Sequence, residues 1–195
     1  MPTAKKRIPA LSARGFWLCV AGLAAVKLAL ASFQTAYIWV GGAPLDDELM
    51  FRAANAISAG DWLGAYDYLT LSKSMFFAVW LALLNALHLP YLVTGQALWC
   101  AAALLASQAF WPWLQKAGRG NWARLAVFAA LAFNPAVSAA YSLRVYRDNI
   151  FPALCLVCFA GFCGAVVRAV FAPGARRWPW LLAGGGGLPA GCLHP

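Results

Sequence analysis

The chain has 195 residues, of which 63% are hydrophobic and 11% charged, with a formal net charge of +9 and a mean hydropathy of +0.68. That charge content is far below the roughly 25% of a soluble domain, which argues against a soluble fold, and apolar runs that are continuous rather than alternating argue against a transmembrane β-barrel. The basic residues gather at the ends of apolar runs, as the positive-inside rule places them, rather than in a patch interleaved with polar contacts, which argues against nucleic acid as a partner.

The expected class is therefore all-α, a polytopic transmembrane helical bundle of about four spans. Residues 1–15 read as a cytoplasmic basic tail carrying Lys5, Lys6, Arg7 and Arg14. The first span covers 16–40, about 25 residues, too long for a signal-peptide core and not closed by an Ala-x-Ala site, so the helix is retained and the N-terminus is cytoplasmic. Lys27 interrupts it and is expected to snorkel toward the interface. Gly41 to Pro44 break the helix, and an outer amphipathic helix follows over 47–59. Asp46 reads as its N-cap, Asp47 and Glu48 as its first turn, and Gly60 as its stop. Met50, Ala53, Ala54 and Ile57 recur at helical spacing and mark its apolar face.

Asp61 to Tyr68 form a polar, aromatic loop containing Asp67, and Lys73 precedes a short apolar piece at 74–89 that Pro90 ends. That piece falls short of the roughly 20 residues of a span, so it reads as a juxtamembrane or re-entrant helix. Further spans follow at 91–114, at 123–143 with a kink at Asn134-Pro135, and at 150–171. Parity supports this arrangement. If 74–89 does not cross, the loop with Lys116, Arg119 and Arg124 and no acid lies inside, as do Arg168, Arg176 and Arg177, while Asp148 emerges outside with Asp46 and Asp47. Residues 172–195 read as an incomplete C-terminal segment.

Cys155-x-x-Cys158 has metal-motif spacing, but apolar neighbours on every side favour buried thiols acting as small hydrophobes, and neither His88 nor His194 has ligand partners nearby in sequence. The six carboxylates are more informative. Three are consecutive at Asp46, Asp47 and Glu48, Asp61 and Asp67 follow, and Asp148 stands apart. Acids near lipid are costly and tend to mark sites. Two readings stand side by side. The cluster can be a well-capped interfacial helix, with Arg144 and Arg147 as outer-loop charges paired to Asp148. Alternatively, Asp47 (or Asp46) and Asp148 converge at one membrane edge as a general base or as ligands of a divalent metal, with Lys73, Arg144 and Arg147 holding a phosphate.

The order of these stretches resembles the N-terminal part of GT-C glycosyltransferases, and most closely the family 39 group of protein O-mannosyltransferases and aminoarabinose transferases. The resemblance is carried by Leu45-Asp46-Asp47-Glu48-Leu49-Met50-Phe51-Arg52-Ala53-Ala54, Gly60-Asp61-Trp62-Leu63-Gly64-Ala65-Tyr66-Asp67, Thr70-Leu71-Ser72-Lys73 and Arg144-Val145-Tyr146-Arg147-Asp148-Asn149, within roughly 16–190. It implies transfer of a sugar from a polyprenyl-phosphate donor to a lipid, glycan or protein acceptor on the extracytoplasmic face of a bacterial plasma membrane. It also implies that Asp47, with Asp46 as the alternative, is the base, that Asp148 is the second-loop acid and that Lys73 contacts the lipid phosphate. The sequence departs from the family at Ser74 and Met75, where prolines are usual, and in length, so the chain is expected to be one portion of a longer transmembrane module. The competing expectation is a non-enzymatic multi-pass protein, such as a transporter fragment or an assembly subunit.

Overall fold

The computed structural model describes residues 10–38, 44–62, 64, 75–118, 120–138 and 143–192, with the side chains of 44–46 and 186–192 outside the description. The described residues are helical, joined by short turns and one isolated bridge. Eight α-helices follow in order: α1 Ala13–Ser32, α2 Pro44–Ser58, α3 Phe76–Ala86, α4 Tyr91–Ala109, α5 Trp111–Lys116, α6 Gly120–Ala132, α7 Phe151–Phe171 and α8 Trp178–Cys192. Two 3-10 turns, Pro135–Ser138 and Arg147–Asn149, lie between α6 and α7.

Three helices, α1, α4 and α7, are long and apolar enough to cross a membrane. The central one is α4, over half buried, with α1, α6 and α7 packed around it. Phe16, Val20, Cys100, Ala103, Leu125, Phe128 and Ala132 form the core between α1, α4 and α6, and alanines at 102, 106, 109, 153 and 160 let α4 and α7 approach closely. Large apolar side chains face outward on α1 (Leu18, Val26, Leu30) and on α7 (Phe159, Val166, Val170), as a lipid-facing surface requires.

The expected 123–143 span is corrected: α6 stops at Ala132, and the chain continues through Asn134-Pro135 as a 3-10 turn. The cause is local. Pro135 has no N–H for the Leu131 carbonyl, and that oxygen instead accepts from the Trp99 indole at 2.9 Å and from the Asn134 backbone at 3.2 Å. Likewise 91–114 is broken into α4 and α5 by Pro112, and the freed Gln108 carbonyl accepts from Arg168 at 3.2 Å. The first helix is shorter than 16–40, ending at Ser32 with Phe33 as its C-cap. Lys27 does not snorkel outward; it is 6% exposed and lies over the Phe133 ring. The segment read as incomplete holds α8, which packs on α7 where Gly161 and Gly164 leave room. An added Cβ would collide with the Gly184 backbone at the first and with Trp180 at the second.

Two further corrections concern α2. It starts at Pro44, a residue suited to a first helical position, so Asp46 lies within the first turn and is not the cap. Its apolar face (Leu49, Met50, Ala53, Ala54) is covered by Phe77 and Ala78 of α3 and by Ile150, so protein rather than lipid buries it. Gly60 does end this helix. At φ +86° it lets its own N–H reach the Ile57 carbonyl and that of Asp61 reach Ala56, a Schellman arrangement. Cys155 is exposed on α7 rather than buried.

Candidate functional site at the acidic end of the bundle

The site is built where three chain segments meet. Beyond α1, the Tyr37 backbone N–H donates to the Leu143 carbonyl at 3.1 Å and the Tyr37 carbonyl accepts from Val145 at 2.8 Å, a single parallel bridge. At the start of α4, the Tyr91 hydroxyl accepts from the Tyr146 N–H at 3.1 Å and lies within donating distance of the Arg144 and Tyr146 carbonyls, at 3.1 and 3.0 Å. The end of α1, the start of α4 and the approach to α7 therefore lie at one end of the bundle. Tyr37 and Tyr91, with α2 and α3 between them in sequence, thus meet the same stretch, Leu143 to Tyr146.

At this junction Asp47 and Arg144 form a forked ion pair. Arg144 Nε donates to Oδ2 at 2.8 Å and Nη2 to Oδ1 at 2.5 Å, across 97 positions of sequence. The Asp47 side chain is 1% exposed and that of Arg144 16%. The paired carboxylate raises the Arg144 pKa further above its already high ordinary value, so the guanidinium stays charged. Arg144 and Arg147 both lie against the Tyr146 ring, at 4.7 and 5.0 Å from its centroid. Asp148 follows in the 3-10 turn with its side chain exposed, and it and Asp47 both lie near enough to the Tyr91 hydroxyl to act on it electrostatically.

The partner of Arg144 is thus Asp47, not Asp148, which corrects the outer-loop pairing. The arrangement also bears on Asp47 as a base, since both its oxygens accept from Arg144 and proton transfer requires the guanidinium to move away. Glu48 is exposed beside it, and Asp61 lies fourteen positions along, roughly 20 Å away at helical rise. Asp46 has its backbone in the first turn of α2 but its side chain is outside the description, and Lys73 and Asp67 lie outside the described residues. No three of His, Cys, Asp and Glu among the described residues come together to hold a metal.

Beside the ion pair runs a groove of about 290 Å³ between α2 and α3. Phe51, Leu81 and Leu84 give it apolar walls, Asn55, Ser58 and Asn85 supply polar groups, and Tyr91 and Val145 lie at its margin. Several parts of the junction carried no sequence signal as a site. Tyr91 reads as one more interfacial aromatic, Tyr37 as another, and Gly95 as an ordinary small residue, though a Cβ there would collide with Asn149.

Comparison with protein-family models, with curated protein sequences and with solved structures finds no match to this chain in any of the three.

Proposed function

We propose that the chain is a membrane glycosyltransferase module. It would take a sugar from a polyprenyl-phosphate donor and pass it to an acceptor on the extracytoplasmic face of a bacterial plasma membrane, with the N-terminus cytoplasmic and α6 with its 3-10 continuation as a fourth pass. The observation that carries this reading is the Asp47–Arg144 fork, which ties the acidic motif to the loop bearing Arg147 and Asp148. The donor phosphate would compete with Asp47 for Arg144, because guanidinium forks suit phosphate as well as carboxylate. Once Arg144 turns to the phosphate, Asp47 is released to accept the proton of the acceptor hydroxyl. Arg147 would share the phosphate, Asp148 would orient the acceptor or help hold a divalent metal, and the α2–α3 groove would take the first isoprene units. Lys73 is a further phosphate ligand by resemblance.

The test is retention of polyprenyl phosphate by the chain in nanodiscs, read by native mass spectrometry against uncharged polyprenol, and followed by transfer assays with labelled donors. Preference for the phosphate that falls about tenfold in Arg147→Ala, the equivalent of one charge-assisted hydrogen bond, supports the reading. Equal retention of phosphate and alcohol rejects it. Accessibility of cysteines placed at Gly118 and Asn149 tests the topology, with Asn149 outside and Gly118 inside as the expected result.

The second reading, a non-enzymatic assembly subunit or transporter fragment, is favoured by one feature, the near-complete burial of Asp47 at 2% exposure. On that reading the ion pair only locks two loops together, and Asp47→Asn alters stability with no effect on phosphate preference.

A further inference from the structure

At the opposite end of the bundle, Arg124 sits in the second turn of α6 at 8% exposure. Its guanidinium carbon lies 4.1 Å from the centroid of the Phe16 ring, 4.9 Å from that of Trp111 and 5.8 Å from that of Trp17. Aromatic faces attract the cation but do not replace its five N–H donors' hydrogen bonds. No carboxylate or carbonyl accepts from Arg124 among the described residues, and its Nε is closed to solvent with no partner. The position is also wrong for an unanswered cation, since the N-terminal end of a helix is the positive end of its dipole and the first turn of α6 holds no acid. Among the described residues no acid pairs with Arg124, and Asp47 and Asp148 lie at the other end of the bundle.

The surroundings fit one class of ligand. Arg14 on α1 and Lys116 on α5 are exposed at the same end, and Trp17, Trp113 and Trp122 on α1, α5 and α6 are about half exposed. Tryptophans at headgroup depth with basic side chains beside them mark a lipid–water interface on its anionic side. We infer that the corner between α1, α5 and α6 binds the headgroup of an anionic phospholipid, whose phosphate oxygens accept from the Nη groups of Arg124 while Arg14 and Lys116 add attraction. The inference rests on the membrane-embedded reading of the bundle but not on the proposed transfer reaction.

The test is lipid retention by the full chain in nanodiscs of mixed phosphatidylglycerol and phosphatidylcholine, measured by native mass spectrometry, with carbonate-resistant fractionation confirming embedding separately. The expected result is a preference of about tenfold for phosphatidylglycerol, the worth of a charge-assisted hydrogen bond. Arg124→Gln should abolish it, Arg124→Lys should keep part of it, and His88→Gly in the exposed turn at the far end should leave it intact. Equal retention of the two lipids by the unmodified chain overturns the inference, as does an unchanged preference in Arg124→Gln. If Arg124→Gln does not fold, Arg14→Gln with Lys116→Gln decides, both side chains being exposed: a reduced preference supports the site and an unchanged one overturns it. Inorganic phosphate at millimolar concentration should not displace the lipid; displacement would make the site one for free phosphate and overturn the headgroup assignment.

Discussion

Replacing Arg144 with methionine isolates the main tie at the acidic end. The substitution keeps length and apolar stem but removes both hydrogen bonds to Asp47, whose side chain is 1% exposed. Breaking a buried ion pair from one side costs about 3–5 kcal/mol, because the remaining charge is left without its counter-ion. The Arg144 side chain retains 16% exposure, so water can partly reach the vacated place and the lower value, about 3 kcal/mol, is expected. Asp47→Leu should cost a similar amount by stranding the guanidinium. The double variant should cost only about 1 kcal/mol, since replacing both partners with apolar groups is near neutral, which gives a coupling energy of about 5 kcal/mol. Arg144→Lys keeps the charge, loses the fork and should fall between. Reversible unfolding in mixed micelles with rising SDS, followed by circular dichroism, measures all four. The reasoning is refuted if Arg144→Met lies within about 0.5 kcal/mol of the unmodified chain, or if the two single losses simply add in the double variant.

Three other substitutions probe the features that hold the bundle around this site. Trp99→Phe leaves the Leu131 carbonyl with only the Asn134 N–H and should cost about 1–2 kcal/mol in the same unfolding assay. Gly161→Ala drives a Cβ into the Gly184 backbone, which cannot turn aside as a side chain could; a loss of about 1–3 kcal/mol is expected, with a red shift in Trp180 emission as α8 lifts from α7. His88 holds a left-handed conformation at φ 53° in the turn between α3 and α4, with its side chain exposed, so His88→Gly should stabilise the chain by about 1 kcal/mol, seen as a higher unfolding midpoint.

Much of the fold was legible because hydrophobic length and proline act locally. The cores of α1, α4 and α7 follow from apolar runs, the stop at Gly60 from its need for positive φ, and the break near Asn134-Pro135 from a missing donor. The same reasoning passed over Pro112, where the run 91–114 looked continuous, because the Arg168 that satisfies the freed carbonyl comes from another helix. Residues 184–187 fall in the stretch read as an incomplete segment, and four glycines weaken a helix on their own. They are helical because α7 offers a groove at Gly161 and Gly164, and that groove cannot be read from residues 184–187 themselves. The acidic motif and the later basic loop were both legible as stretches. Their pairing was not, because nothing in spacing distinguishes Asp47 from Asp148 as the partner of Arg144 across 97 positions.

The two ends of the bundle answer the same physical problem in opposite ways. At the acidic end a buried carboxylate would be prohibitive alone, and Arg144 answers it from the other loop, so the chain closes its own circuit. At the basic end Arg124 is also buried, but no acid among the described residues pairs with it, and on the inference above a lipid headgroup would supply the counter-charge. Tyr37 after α1 and Tyr91 at the start of α4 both bond to the Leu143–Tyr146 stretch before α7, in one cluster. With that junction at one end, α4 and α7 both run from the acidic end toward the basic one, and α1 and α6 run back. Among the described residues, Asp47 and Asp148 are thereby kept at the end away from Arg124, so the bundle carries its buried ion pair at one end and its buried arginine without an acid at the other.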